Sequence, residues 1–268
     1  MHVSVQRTAD RSWVFDYENT KEPTLKPLCQ RVEAQLDLPA RRLCRYFAGT
    51  DDGCLIANPR FGPHFRGFHA TVAARNSFPR YLFDCFFHPL ETLTMRHTLP
   101  SFEEMVAFDS LIYIRSSTCD DTTGLVECYA HELQHFVQYG RTPRLCAVNN
   151  VLYQNLKRLE PASVVTDIPT EREANIVSKR VAEKVCGVEA VNSFAEERMR
   201  FMDECGQHEE SDRWVFFRDI PSSTPFNLLD ATLPLVEKYR RVLDFRMDVD
   251  KPEWWIGPLD DDETDGAA

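Results

Sequence analysis

Two histidines stand four positions apart in Tyr129-Ala130-His131-Glu132-Leu133-Gln134-His135-Phe136, with a glutamate directly after the first. The segment reads as helix, and on a helix residues four apart lie one turn above each other on the same face. Both imidazoles can then point at one metal ion with the Glu132 carboxylate beside it, the arrangement of a zinc site with its own base. Two histidines do not complete such a site. A catalytic zinc ion usually takes three protein ligands and leaves a fourth position for water.

The third ligand must come from elsewhere, and the obvious downstream candidate is Pro169-Thr170-Glu171-Arg172-Glu173-Ala174-Asn175, at the start of another helix. Glu171 is preferred over Glu173 on two grounds. Four positions past Glu173 stands Val177, which can support no ligand, and Thr170-Glu171-Arg172-Glu173 reads as a capping box that would occupy Glu173. A His-Glu-x-x-His helix followed by a helix with Glu-x-x-Ala-Asn resembles the gluzincin branch of the zincin metallopeptidases. Members with such a helix include the ImmA/IrrE-type and CAAX prenyl proteases. The resemblance runs from Leu125 to about Ala182 and does not reach the first hundred residues.

What the resemblance implies is one Zn2+ ion held by His131, His135 and Glu171, with Glu132 as general base and Asn175 as an outer partner that hydrogen-bonds a ligand. Glu132 would take the proton of the attacking water and return it to the leaving amine. The strand just upstream, with Leu111 and Tyr113, matches the zincin edge strand that pairs with an extended peptide. Residue type alone nominates Tyr153, His208 and Arg172 to stabilise the oxyanion. Cys128, one turn before His131, is expected to be a small buried residue under the site. His64, His69 and His88 show no diagnostic metal spacing.

The elements that must position these groups change character near residue 120. Before it, Ser12 to Tyr17 alternates like a strand and Lys21 to Leu36 has helical spacing. Strand-like runs follow at Leu43–Phe47, Cys54–Ala57, Gly67–Ala73, Tyr81–Phe87 and Ser110–Arg115, with a turn at Gly49–Gly53. After it come five expected helices. The first runs to about Tyr139, capped by Thr122 or Thr123 and ended by Gly140; the others cover Ala147–Leu159, Thr170–Val185, Glu189–Glu204 and Leu228–Leu243. The expected fold is α+β and zincin-like. Residues 1–120 would form a strand-rich part with a twisted, mostly antiparallel sheet, 121–259 a helical part carrying the metal, and 260–268 an acidic disordered tail. Trp254 and Trp255 are expected to pin the C-terminal segment.

The chain of 268 residues is 43% hydrophobic and 27% charged, the balance of a globular protein. Its 31 basic and 42 acidic side chains give a net charge of -11, which repels nucleic acid and anionic membrane surfaces. No segment resembles a signal peptide or a membrane span, so a cytoplasmic location is expected. Nine cysteines without a Cys-x-x-Cys pair argue against a disulfide framework or a cysteine zinc knuckle. The function expected is a zinc metallopeptidase acting on a peptide or protein, most simply by regulated cleavage of an intracellular target. The alternatives are a catalytically idle zincin-fold binding or regulatory protein, and a zinc amidohydrolase acting on a small molecule.

Overall fold

A computed structural model of the chain describes residues 12–15, 21–47, 66–71, 108–159 and 165–243. The expectations for Gly49–Gly53, Cys54–Ala57, Tyr81–Phe87, His64, His88, Trp254, Trp255 and the acidic tail lie outside the described residues. Met1–Leu133 and Gln134–Ala268 form two compact units, with the border inside one continuous helix.

The first unit contains strands β1 (Trp13–Phe15), β2 (Leu43–Phe47), β3 (Gly67–Thr71) and β4 (Ser110–Ile114), in the order β1-β2-β4-β3. Helix α1 (Glu22–Glu33) connects β1 to β2, which run parallel with Trp13 opposite Arg45. β2 is parallel to β4, with Leu43 opposite Ser110 and Phe47 opposite Ile114. Only β3 is antiparallel, placing Gly67 opposite Ile114 and Thr71 opposite Ser110. The described residues are mostly helical, and their sheet is small and mainly parallel. That overturns the expected strand-rich, mostly antiparallel zincin-like architecture. For β1 and β2 the reason is physical: strands joined through a helix make a crossover, which returns the chain parallel. β4 is also buried at all five positions, the unbroken apolar pattern of a strand covered on both faces.

A second correction follows. Leu111 and Tyr113 were expected on a free edge strand, but β4 is bonded to β2 on one side and β3 on the other. Both residues are core, and neither can receive an added strand. Among the described residues β3 and β1 form the edges.

One face of the sheet stacks Trp13, Phe15 and Phe47, with Phe15 and Phe47 centroids 4.9 Å apart; Phe47 meets Tyr129 at 6.0 Å. Tyr129 belongs to α2 (Thr122–Arg141), the helix of the two histidines. Its hydroxyl donates to Glu33, and Arg45 Nε donates both to Glu33 Oε1 at 2.7 Å and to the Tyr129 oxygen at 3.1 Å. Burial pushes the Tyr129 phenol well above its usual pKa, so it remains a donor. Arg66 makes a second tie, pairing with Glu127 and donating to the Gly124 carbonyl. The cap of α2 is Asp121, whose carboxylate accepts from the backbone N–H of Thr123 at 3.1 Å and Gly124 at 2.8 Å. Thr122 and Thr123 are therefore inside the helix. Gly140 is as well, because α2 continues to Arg141.

The second unit holds the rest of α2 with α3 (Pro143–Leu159), α4 (Pro169–Cys186), α5 (Val188–Glu204), α6 (His208–Asp219) and α7 (Leu228–Leu243). Leu145, Val148 and Leu152 of α3 pack with Ile168 and with Leu228, Val236 and Tyr239 of α7. Asn149 Nδ2 joins the same helices by donating to Thr232 Oγ1 at 2.9 Å. Helix α6 was not expected, because its apolar residues are bunched at Trp214–Phe217 instead of spaced along one face. Trp214 anchors it against Phe194 of α5 in an edge-to-face contact at 5.4 Å. Lys179 of α4 closes its C-terminal end by donating to the carbonyls of Arg218 at 2.6 Å and Ile220 at 2.7 Å. No described helix is long and apolar enough to cross a membrane.

At Gly67, β3 packs tightly against β4 and against Cys128 of α2. A Cβ there would stand 2.8 Å from the Tyr113 carbonyl oxygen and 3.0 Å from Cys128 Sγ. The carbonyl belongs to the sheet backbone and cannot give way. Gly67→Ala should therefore cost about 1–3 kcal/mol of stability, read as a lower urea midpoint at unchanged slope. A variant as stable as the wild type would show that β3 is free to move away from β4.

Candidate metal centre

Helical geometry alone puts His131 and His135 on one face of α2, and Glu171 enters from the first turn of α4. A carboxylate is favoured there by the partial positive charge of a helix N-terminus. Among the described residues, one group of three His, Cys, Asp or Glu side chains can hold a metal ion: His131, His135 and Glu171, with one donor atom from each within 4.8 Å of the others. His135 Nε2 lies 3.4 Å from Glu171 Oε1. Two donors bound tetrahedrally to one zinc-sized ion stand about 3.3–3.6 Å apart, by simple geometry from metal–ligand bonds of about 2.0–2.2 Å. The His135–Glu171 separation is that of two donors on one ion, and two imidazoles with a carboxylate form a group that can hold a metal ion. His131 is 5% exposed, and Glu132, the next residue on the helix, is 7% exposed.

Glu173 does something other than either role considered for it. Helix α4 begins at Pro169 after Ile168, with no side-chain cap, so Thr170 and Glu173 form no capping box. The Glu173 carboxylate instead accepts from Gln138 Nε2 at 2.7 Å. Gln138 also donates to the Thr170 carbonyl at 3.0 Å, and its Oε1 lies 2.9 Å from His135 Nδ1. Gln138 was missed because a glutamine is not a metal ligand. The available signal was its position, one turn after His135 on the same helix.

Asn175 is fully buried one turn along from Glu171, but it grips the backbone. Its Nδ2 donates to the Glu171 carbonyl at 2.7 Å, and its Oδ1 accepts from Arg213 Nε at 3.3 Å. It thus holds the peptide that carries the ligand. Cys128 sits buried against β3, and the metal-capable group does not include it. Cys146 of α3 is deeply buried, and burial pushes its thiol up to about 12. It stays neutral there and a poor ligand.

The proposed oxyanion partners are scattered. Tyr153 on α3 is 48% exposed. His208 opens α6 with its side chain 78% exposed, beside Asp203 at 3.4 Å. Arg172 turns its guanidinium over the Phe216 ring at 5.2 Å and lines a cavity of about 450 Å³ with Ile176, Ile220, Phe226 and Leu235. His69 lies on β3 opposite Ile112. Among the described cysteines none forms a disulfide.

No protein family, no curated protein and no solved structure matches this chain.

The three candidate ligands make a direct prediction. Protein stripped of metal and dialysed against a divalent transition metal should retain about one equivalent, measured by elemental analysis, whereas His131→Ala, His135→Ala and Glu171→Ala should each retain far less. Full retention by Glu171→Ala would remove Glu171 from the site.

Proposed function

We propose that the chain is a zinc-dependent metallopeptidase whose ion is held by His131, His135 and Glu171. The observation that supports this best is the meeting of a one-turn histidine pair with a carboxylate from a separate helix, with one donor atom from each within 4.8 Å of the others. The same residues carry the likeness to gluzincin sites, with Glu132 in the position of the base. Bound zinc would lower the pKa of a coordinated water to about 7 and polarise the scissile carbonyl. Glu132 is carried on the same helix as both histidines, one residue after His131. Its carboxylate accepts the proton of the attacking water and delivers it to the leaving amine nitrogen. The largely buried surroundings of His131 and Glu132 limit access of bulk water and strengthen these electrostatic effects.

A second reading, hydrolysis of an amide in a small molecule, gains from the interior position of β4. Leu111 and Tyr113 offer no edge for an extended peptide, so peptide recognition by that strand is withdrawn. The chemistry at Glu132 and the metal is the same in both cases. Substrate size distinguishes them.

The test is Glu132→Gln, which keeps the shape of the side chain and removes the base. Wild-type and variant proteins should bind zinc equally, and the variant should lose about 10²–10⁴-fold in cleavage of a mixed peptide library. Cleavage confined to acylated single amino acids would favour the small-molecule reading. Equal hydrolysis by wild type and variant would remove Glu132 from the chemistry, and zinc-loaded wild type inert on both substrate sets would leave a binding protein.

A further inference from the structure

Gln138 is 3% exposed and bridges α2 to the first turn of α4. Its amide has two unlike ends. One faces the Thr170 carbonyl at 3.0 Å and the Glu173 carboxylate at 2.7 Å. Both are acceptors, so only the NH2 group can occupy that end. The other end is therefore the oxygen, and it faces His135 Nδ1 at 2.9 Å. An amide oxygen can only accept, so Nδ1 must carry the proton. In a neutral imidazole this leaves the lone pair on Nε2, the atom 3.4 Å from Glu171 Oε1 and within the metal-capable group.

We propose that Gln138 and Glu173 are positioning residues that hold His135 as its Nδ1–H tautomer, with the Nε2 lone pair presented to the ligand set. Glu173 acts through Gln138: its carboxylate fixes which end of the amide meets the imidazole. The inference rests on the metal-site reading above and extends it to two residues outside the ligand set. Asn175 does not supply this support, because its own bonds go to the Glu171 carbonyl and to Arg213. The relay also explains a second glutamate so close to Glu171. One carboxylate faces the histidine's Nε2, and the other governs its Nδ1 through the amide.

The experiment uses the full chain labelled with 15N-histidine, metal-free at pH 8.5, with His135 assigned by the signal lost in His135→Gln. Long-range 1H–15N correlation should show His135 protonated at Nδ1 in the wild type and in Glu173→Gln, which keeps an acceptor oxygen. In Gln138→Leu the proton should move to Nε2. Competition with a chromogenic chelator then reads zinc affinity in variants whose circular dichroism and melting match the wild type. Gln138→Leu should bind about 10–100-fold more weakly, Glu173→Leu less severely, and Glu173→Gln like the wild type. The double variant Gln138→Leu/Glu173→Leu should bind no worse than Gln138→Leu alone, because both changes cut the same relay. A wild-type His135 protonated only at Nε2 would overturn the proposal whether or not the protein takes zinc. So would unchanged affinity in folded Gln138→Leu, or losses that add in the double variant. Wild type that shows the Nδ1 proton but binds no zinc would support the relay and defeat the metal-site reading, which keeps the two failures distinct.

Discussion

Among the described residues, the burial of α2 sets the demands that the elements around it must meet. From Gly124 to Gln138 every residue of that helix except His135 is buried, although the stretch includes Glu127, Tyr129, His131, Glu132, Gln134 and Gln138. A buried polar group left without a partner costs about 1–3 kcal/mol, and more if charged. A helix of this composition can go inside only if its surroundings supply those partners. In the first unit they are Arg66 for Glu127 and the Glu33–Arg45 pair for Tyr129. In the second unit Thr170 and Glu173 serve Gln138.

The sheet follows the same logic. β4 delivers the chain to α2, and its buried Leu-Ile-Tyr-Ile run requires cover on both faces and neighbours on both edges. Tyr113 stacks on Tyr46 at 5.6 Å, while the opposite face carries Trp13, Phe15 and Phe47 toward Tyr129. Arg45 crosses this aromatic layer with its guanidinium 4.7 Å from the Trp13 ring, so the ion pair to Glu33 lies in a partly desolvated setting. There a charge-assisted hydrogen bond is stronger than on the surface, and breaking one partner is correspondingly costly. The interior place of β4 strengthens the support under α2 and leaves that strand no free edge.

At the candidate metal centre the contacts fall into shells around the metal-capable group. His131, His135 and Glu171 offer the donor atoms; Gln138 addresses the far nitrogen of one histidine; Asn175 and Arg213 hold the backbone beneath the carboxylate. A metal ion tolerates little error in ligand direction, and outer contacts of this kind keep a ring or a carboxylate from turning away. The first turn of α4 contributes through its backbone as well, since the Thr170 carbonyl anchors the same amide as Glu173.

The features legible in the residues alone were those governed by neighbours along the chain. The one-turn spacing of His131 and His135 needs only helical geometry, and Glu171 could be picked out from the Glu-x-x-Ala-Asn pattern, although the capping box that favoured it over Glu173 does not form. Helices α1, α4, α5 and α7 show the same periodicity, and the expected spans lie within a few residues of those found. Strand direction was not legible, because a run such as Ser110–Ile114 has the same local preference in a parallel or an antiparallel sheet. The crossover through α1 and the pairing partners decide it. Helix α6 was hidden because its fit comes from Trp214 meeting Phe194 rather than from an apolar stripe. The role of Glu173 was hidden most completely. As a local pattern it was a capping residue or a ligand, and only folding α4 beside α2 made it the acceptor for Gln138. Local sequence marked which residues have metal-binding chemistry; tertiary packing decided which of their atoms come together, because contacts between distant segments have no periodic trace in the chain.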